Sequence, residues 1–368
     1  MEDWKLLLSF MPDNWDKLAL ETGVLKGLHK DKDVEKYLRT LLLHVGCGHS
    51  LRETVARAKL AGLADISDVA LIKRLIKAKD WLHGMCVELF EERGIALKDG
   101  SDFQLRLFDA TNVKEPGKTG SLWRIHYSVQ FPSLTCDFFK LSATKGRGTG
   151  ESFFQYPIKQ GDHIIADRGY STASGIHHVV SRKAFVIVRV NTNLPLNNLK
   201  GQRFSLLDEV MRVKKPGSVK SWRVLVPHRA DAGVPGRICV IRKTEEAIKL
   251  AHKKLKMNAS KKGHSIKPAT LEFAKYVIVF TNYPEESFSD VDVLNWYRCR
   301  WQVELVFKRF KSMAELGHLP KHGGDSSKAW LYGKLFVILL TEKLIRHAES
   351  VSPWGYLLEE TSASQRLA

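Results

Sequence analysis

Tyr297, Arg300, Glu304 and Lys311 lie three, four and seven residues apart in the segment YRCRWQVELVFKRFK near the C-terminus. At 3.6 residues per turn, a helix through this segment gathers all four within an arc of about 60°. Trp296, Cys299, Val303, Val306, Phe307 and Phe310 fill the neighbouring arc, the side that packs on a core. A carboxylate flanked by a phenol and two cations, on the exposed edge of a buried helix, suits a site that handles phosphate and metal together. An amphipathic helix with solvated charges has the same pattern, so the helix alone does not decide. Asp109 in LRLFDATNV and Asp167 in DHIIADRGYS shift the balance. Each directly follows a short apolar run with strand character, which puts it at or just past a strand's C-terminal end. Open α/β sheets carry their ligand sites at that edge. Asp102 and Asp162 start the same runs, at the opposite edge, and are weaker candidates. A single Asp after a strand is more often a turn former or helix cap. Three carboxylates in these positions, in a chain with 58 Lys and Arg against 40 Asp and Glu, read better as a metal cluster.

The helix is similar to the Tyr-x2-Arg-x3-Glu-x6-Lys signature of bacterial cut-and-paste transposases of the insertion-sequence-four type, with all four positions at the family spacing. DAT at 109–111 and ADRGY at 166–170 resemble the contexts of that family's two aspartates, and the resemblance runs over roughly residues 100–345. It implies an α/β fold with a ribonuclease-H-like catalytic core. It also implies that Asp109, Asp167 and Glu304 are both catalytic residues and metal ligands, with Mg²⁺ as cofactor and Mn²⁺ able to substitute. Tyr297, Arg300 and Lys311 become DNA contacts, with Arg189 counted beside them. Well-studied relatives hold a flipped base against a Trp that precedes the signature Tyr by about the distance from Tyr276 to Tyr297. Tyr276 departs from that pattern, a strand aromatic being the plainer reading, and Trp222 is the alternative stacking candidate.

The chemistry agrees with these residue types. Breaking a DNA phosphodiester needs an in-line nucleophile and charge stabilisation on both the entering and leaving oxygens, which two divalent ions about 4 Å apart provide. Hard Mg²⁺ prefers carboxylate oxygens to His or Cys. Arg suits bidentate contact with phosphate, and Lys acts as a point charge. The implied activity is that of a DNA transposase: binding the terminal inverted repeats of its element, cutting both ends and joining the 3′-hydroxyls to target DNA, as a homodimer on DNA. The other readings are a catalytically silent, transposon-derived DNA-binding protein and a metal-dependent nuclease of the same fold.

A formal charge of +18 and 44% hydrophobic residues describe a chain with a real core and an affinity for polyanions, not a disordered polycation. Five scattered cysteines without a CxxC pair support neither a zinc knuckle nor a disulfide framework. The start, MEDWKLLLSFM, is acidic where a secretory leader would be basic, and LFVILL at 335–340 is too short to span a membrane. The expected location is the bacterial cytoplasm, on the nucleoid. EPGKTGS lacks the first Gly of a phosphate-binding loop. KGRGTGES places Glu151 at the last position of a dinucleotide fingerprint, so neither nucleotide motif is supported. Adjacent His177 and His178 point about 100° apart on a helix and cannot share a metal, and His126 in an alternating strand reads as structural.

Residues 1–98 read as a helical DNA-binding domain. Ser50 and Glu53 open a helix with a capping-box pattern that stops at Gly62, and Ser67 starts another through Met85, with Leu71, Leu75 and Leu82 on one side. The pair resembles a helix-turn-helix, and equally a plain helical bundle. Residues 99–190 and 276–345 form the expected catalytic core, with strands in FQLRLFDA, WRIHYSVQF, CDFFKLSA, HIIA, FVIVRV and KYVIVFTN and a helix through 172–182. Residues 191–275 read as a mostly β insertion, with strands in RFSLLDEV, SWRVLVPH and GRICVIR before the basic run KLAHKKLKMNASKKGHSIK. That run is either a solvated loop or a surface that tracks phosphates. Residues 346–368 remain as a tail.

Overall fold

The computed structural model describes residues 4–28, 32–92, 105–114, 122–131, 135–146, 148–229, 231–301, 303, 304, 308 and 324–350. Asp102, Lys311, the EPGKTGS segment and the residues Val306, Phe307 and Phe310 lie outside the described residues. The chain divides into two compact units: one gathers Met1–Ala96, Val113–Leu122 and Arg309–Ala368, the other Leu97–Asn112 and Trp123–Lys308.

The second unit is organised by a sheet of β1 (Leu105–Lys114), β2 (Leu122–Phe131), β3 (Thr135–Ala143), β4 (His163–Ala166), β5 (Phe185–Arg189), β6 (Val219–His228), β7 (Asp231–Arg242) and β8 (Tyr276–Thr281). The spatial order is β3-β2-β1-β4-β5-β8-β7-β6. β4 runs parallel to both β1 and β5, and β8 is antiparallel to β5. The first five strands have the order expected of a ribonuclease-H-like core. HIIA and FVIVR are unbroken apolar runs because strands at the centre of such a sheet are covered on both faces. The helix Ala173–Val180 carries the chain from β4 to β5 and buries Ile176 and Val179 in the core around Phe108, Phe153 and Tyr170.

Residues 191–275, expected as a mostly β insertion, hold more helix than strand. β6 and β7 form a hairpin that adds to β8 and extends the core sheet, and the helices Leu206–Met211, Glu245–Lys262 and Pro268–Phe273 accompany them. RFSLLDEV, expected as a strand, forms the first of these helices because Leu206 and Val210, four apart, are the pair that reaches the core. Most of the basic run is helical too. Thr244 caps its start and Gly263, at φ +64°, closes it, while Ile248 is the residue it buries. Lys249, Lys253, Lys254 and Lys256 are exposed along it.

In the first unit, Ser50 accepts the Glu53 amide at 3.2 Å while the Glu53 carboxylate turns away to Arg57 at 2.9 Å, so only half of the expected capping box forms. Gly62, at φ +65°, follows the helix Leu51–Leu60. The stretch after Ser67, read as one helix, is two, Asp68–Lys77 and Lys79–Glu92, meeting at Ala78, and Leu71, Leu75 and Leu82 are all buried. The long helix Gly324–Ser350, expected in the core as far as residue 345, packs instead on these two helices. It buries Trp330, Leu331, Leu335, Phe336 and Leu339, and ion pairs Lys79–Asp325 (3.1 Å) and Lys343–Glu92 tie its two ends. A side chain at Gly333 would press on Val45 at 3.1 Å, so glycine is what lets this helix approach Val34–Val45. Residues 1–98 are therefore only part of their unit. Among the described residues no helix is long and apolar enough to cross a membrane.

At the edge of the sheet where β1 begins, Arg106 donates to Asp137 (2.8 Å), Asp162 (2.6 Å), Ser128 and the Pro157 carbonyl, with its side chain 10% exposed. Asp162 is thus a structural counter-ion. Removing one member of a buried ionic network leaves the others uncompensated, which costs about 3–5 kcal/mol, whereas an exposed pair contributes at most about 1 kcal/mol. Arg106→Ala should therefore lower stability by about 3–5 kcal/mol in urea unfolding. Arg223→Ala, which breaks the exposed pair with Glu285, should change it by less than about 1 kcal/mol.

Candidate active site

The parallel ladder between β1 and β4 pairs Leu105 with His163 and runs to Phe108 with Ala166. One residue further along both strands stand Asp109 and Asp167, so the register carries the two carboxylates to the same sheet edge on adjacent strands, about 4.8 Å apart in backbone. Asp109 was expected at or past its strand's end. β1 continues to Lys114, but its pairing with β4 stops before Asp109. The backbone here is held from below. Tyr156 stacks on Phe108 at 4.0 Å, donates its hydroxyl to the Asp109 carbonyl at 2.7 Å and meets the Tyr170 hydroxyl at 2.7 Å. The Asp109 carboxylate accepts from the Ala110 amide (2.8 Å) and from the Tyr127 hydroxyl (3.2 Å).

The third element is the helix Asp290–Arg298. Ser289 and Asp292 form a reciprocal capping box at its start. Buried Arg237 of β7 pairs with Asp290 at 3.0 Å and donates to the Tyr283 and Phe288 carbonyls, which fixes where the helix begins. The signature segment is not one continuous helix. Helical structure stops at Arg298, Cys299 and Arg300 form a turn with three-residue hydrogen bonds, and helix resumes at Trp301, Val303 and Glu304. Tyr297, expected on an exposed edge, is 8% exposed and donates its hydroxyl to Asp167 at 3.4 Å. Arg300, mostly covered, donates to the half-exposed Glu304 carboxylate at 2.7 Å.

Arg300 is the electrostatic centre of the group. Its burial alone would lower its pKa, but Tyr297, Asp167 and Glu304 together raise it. Its charge also reaches Asp109. Burial dominates at Asp109, whose pKa is pushed up to about 6 against the opposing Ala110 amide, Arg300 and the Tyr127 hydroxyl. Tyr297 is raised to about 12, by burial first and then by Asp167. Further cations stand nearby. Burial lowers the Arg168 pKa, and Arg189 adds to it. Lys243 falls to about 8 through burial, Arg189 and Arg168.

Of the residues singled out in the sequence, Asp109, Asp167, Tyr297 and Arg300 come together, with Glu304 joined through Arg300. Half-buried Arg189 ends β5, and its charge acts on Tyr297 and Arg168. Tyr276 is 3% exposed in the hydrophobic core, which leaves no face of its ring for a base. Trp222 is half-buried, 6.3 Å from Phe204. Glu151, on the loop before β4, acts electrostatically on both Asp109 and Asp167. No periodicity or spacing marks it, and only the folded loop brings it here.

The donor set is all oxygen, as a hard divalent cation requires. Asp109 and Asp167 fit such an ion by position, and the raised pKa of Asp109 is what a nearby cation would correct. Among the described residues no three His, Cys, Asp or Glu side chains converge at ligand distance, and Glu304 is paired with Arg300.

The Asp109 shift has a measurable consequence. The folded pKa of about 6 exceeds the ordinary 3.8, so the fold favours the protonated acid. That preference holds fully below about pH 4 and is lost as pH rises through about 6. At about 1.4 kcal/mol per tenfold change in acidity, ionised Asp109 costs up to about 3 kcal/mol. In chelator at pH 8, Asp109→Asn should be more stable than the wild type by about 1–3 kcal/mol, and the difference should disappear near pH 4 in thermal or urea unfolding.

Comparison with known proteins gives the family. The transposase DDE domain family matches residues 144–340. InsL of insertion sequence element IS186A from Escherichia coli (strain K12) is 30% identical over 360 residues, covering 96% of each chain. The transposase for insertion sequence element IS421 from Escherichia coli is 30% identical over 361 residues, again 96% of each. The transposase for IS231E from Bacillus thuringiensis subsp. finitimus is 23% identical over 269 residues, 64% of this chain and 55% of that one. The paired aspartates at the sheet edge and this likeness along nearly the whole chain lead to one conclusion: the chain belongs to the DDE transposases of bacterial insertion sequences and is a DNA transposase.

Proposed function

We propose that this transposase binds the terminal inverted repeats of its element, cleaves the DNA at both ends and joins the freed 3′-hydroxyls to target DNA, with Asp109, Asp167 and Glu304 as its catalytic carboxylates. The observation that carries the reading is the β1–β4 register, which sets Asp109 beside Asp167, with Tyr297 hydrogen-bonded to the latter. Mg²⁺, or Mn²⁺ in its place, would be held by these carboxylates and would supply charge stabilisation to the entering and leaving oxygens. In the DNA-free chain Arg300 is the counter-ion to all three. When a phosphate arrives, its guanidinium exchanges Glu304 for the phosphate oxygens, a bidentate partner to which its planar fork is suited, and Glu304 is released toward the aspartates. Tyr297 orients Asp167 through its hydroxyl. Lys311 and Arg189 add phosphate contacts.

End recognition is assigned to the first unit. The helices Leu51–Leu60 and Asp68–Lys77 flank a turn closed by Ala58, Leu63 and Ala64, and Lys73 and Lys77 are exposed on the second helix. Two ends cut and joined together require two copies of the site, so the protein acts as a homodimer on DNA, in the cytoplasm at the nucleoid.

Three results are expected. Asp109→Asn, Asp167→Asn and Glu304→Gln should each lower cleavage and strand transfer by at least about a hundredfold to a thousandfold while binding end DNA like the wild type. Arg300→Ala, which removes one charge-assisted contact, should lower cleavage by only about tenfold to a hundredfold. Substantial cleavage by Glu304→Gln in Mg²⁺ contradicts the assignment of that residue. For end binding, the double change Lys73→Ala, Lys77→Ala should reduce the slope of log affinity against log salt by about 1–2; an unchanged slope in a filter-binding series removes these lysines from the DNA interface.

A further inference from the structure

Glu151 lies outside the Asp-Asp-Glu set, yet its charge bears on both aspartates. Its position is built rather than incidental. On one side of it, Arg124 of β2 donates to the Thr149 carbonyl at 2.7 Å, and the Thr149 hydroxyl closes back on the Gly146 carbonyl at 3.0 Å. On the other, Ser152 caps the turn Phe153–Gln155, Phe153 is fully buried against Tyr170, and Tyr156 is bonded to the Asp109 backbone. Between these anchors the Glu151 side chain lies across Gly169, two residues after Asp167. A Cβ at Gly169 would overlap the Glu151 carboxylate and come within 3.4 Å of the Glu151 Cβ. Glycine at 169 therefore leaves the space that this carboxylate fills.

A purely structural role does not account for the arrangement. Among the described residues no hydrogen bond or ion pair engages the Glu151 carboxylate; the opposing charge that acts on it is Arg124. Arg300 offsets the aspartates and Arg124 acts on Glu151, yet no partner holds the exposed Glu151 carboxylate where it crosses Gly169. The three carboxylates do not converge as direct ligands. A Mg²⁺ ion held by one or two carboxylates keeps several waters, and carboxylates just beyond the ligands hold those waters in place, at a typical loss of 10–100-fold in metal affinity when removed.

We infer that Glu151 is a positioning residue of the active centre, accepting hydrogen bonds from water in the hydration shell of the divalent cation held at Asp109 and Asp167, and that Gly169 is the backbone seat that allows it. The inference rests on the metal reading of the site given above.

The test is a Mn²⁺ titration of the full chain followed by electron paramagnetic resonance of the free ion, with cleavage of end DNA measured in parallel. Glu151→Gln should raise the Mn²⁺ Kd by about 10–100-fold without lowering the thermal midpoint, and Glu151→Asp should recover part of the affinity. Gly169→Ala, which displaces the carboxylate without removing it, should reproduce the loss, and the double variant should be no worse than the more severe single one. If Glu151→Gln binds Mn²⁺ within twofold of the wild type while Asp109→Asn does not bind, the role of Glu151 is wrong and the metal site stands. If Asp109→Asn also binds as the wild type does, the metal reading itself fails and the inference falls with it. Additive losses in the double variant would overturn the seating of Glu151 on Gly169.

Discussion

Parallel pairing of β1 with β4 is the constraint on which the site depends. The ladder from Leu105–His163 to Phe108–Ala166 leaves the next residue of each strand at the same edge, and each is an aspartate. A slip of one residue would turn one carboxylate to the opposite face of the sheet. The register is held by fully buried side chains on both strands, Leu107, Phe108, Ile164, Ile165 and Ala166, and by Arg106, whose bonds to Asp137 and Asp162 lock the other end of β1. The same strand thus carries a charge-paired ionic network at one end and, at the other, a buried carboxylate whose pKa is raised. Stability is concentrated in the first and given up at the second, the usual relation between a core and a working site.

Around the paired aspartates the chain arranges positive charge in layers. Arg300 is raised in pKa by the acids it serves, while burial and the charge of Arg189 lower Arg168, and burial with Arg189 and Arg168 lowers Lys243. Cations forced together against their own repulsion, beside carboxylates that repel each other in turn, describe a surface organised for a third party that carries both signs. A DNA phosphate with its divalent counter-ion has that character. Tyr297 belongs to the same design: its ring is buried with the helix Asp290–Arg298, and its hydroxyl reaches Asp167, so the position of that helix is felt directly at the second aspartate. Arg237, through Asp290, transmits the position of β7 to the same helix.

Much of this was legible in the sequence, and the failures have physical reasons. β4, β5 and β8 were visible because strands covered on both faces must be continuously apolar, and their bounds follow. β6 and β7 were visible as strands, but nothing in their alternation states which edge they join, so their membership of the core sheet was not. Leu206 and Val210 satisfy helical spacing and a short apolar run alike, and tertiary packing decided for the helix. The turn at Cys299 and Arg300 has no Gly or Pro to announce it. It brings Arg300 under the Glu304 carboxylate by a different route from the uniform arc that the spacing suggested. Gly324–Ser350 has an apolar stripe that would suit either unit, and partner choice was settled by Val45 against Gly333 and by the ion pairs at its ends. Glu151, sixteen residues before Asp167, reaches the site only because Arg124 and Tyr156 fold its loop back.

The central claim is that the edge formed by Asp109 and Asp167 is where the divalent ion sits, with Glu304 recruited from Arg300. A crystal structure of the transposase with its end DNA and Mn²⁺, phased to show the anomalous signal of manganese, tests it most directly. The account predicts manganese density between Asp109 and Asp167, with the Glu304 carboxylate turned to the ion and Arg300 on a phosphate. Manganese bound elsewhere, or three carboxylates more than roughly 8 Å apart in that complex, too far to share two ions about 4 Å apart, would contradict it.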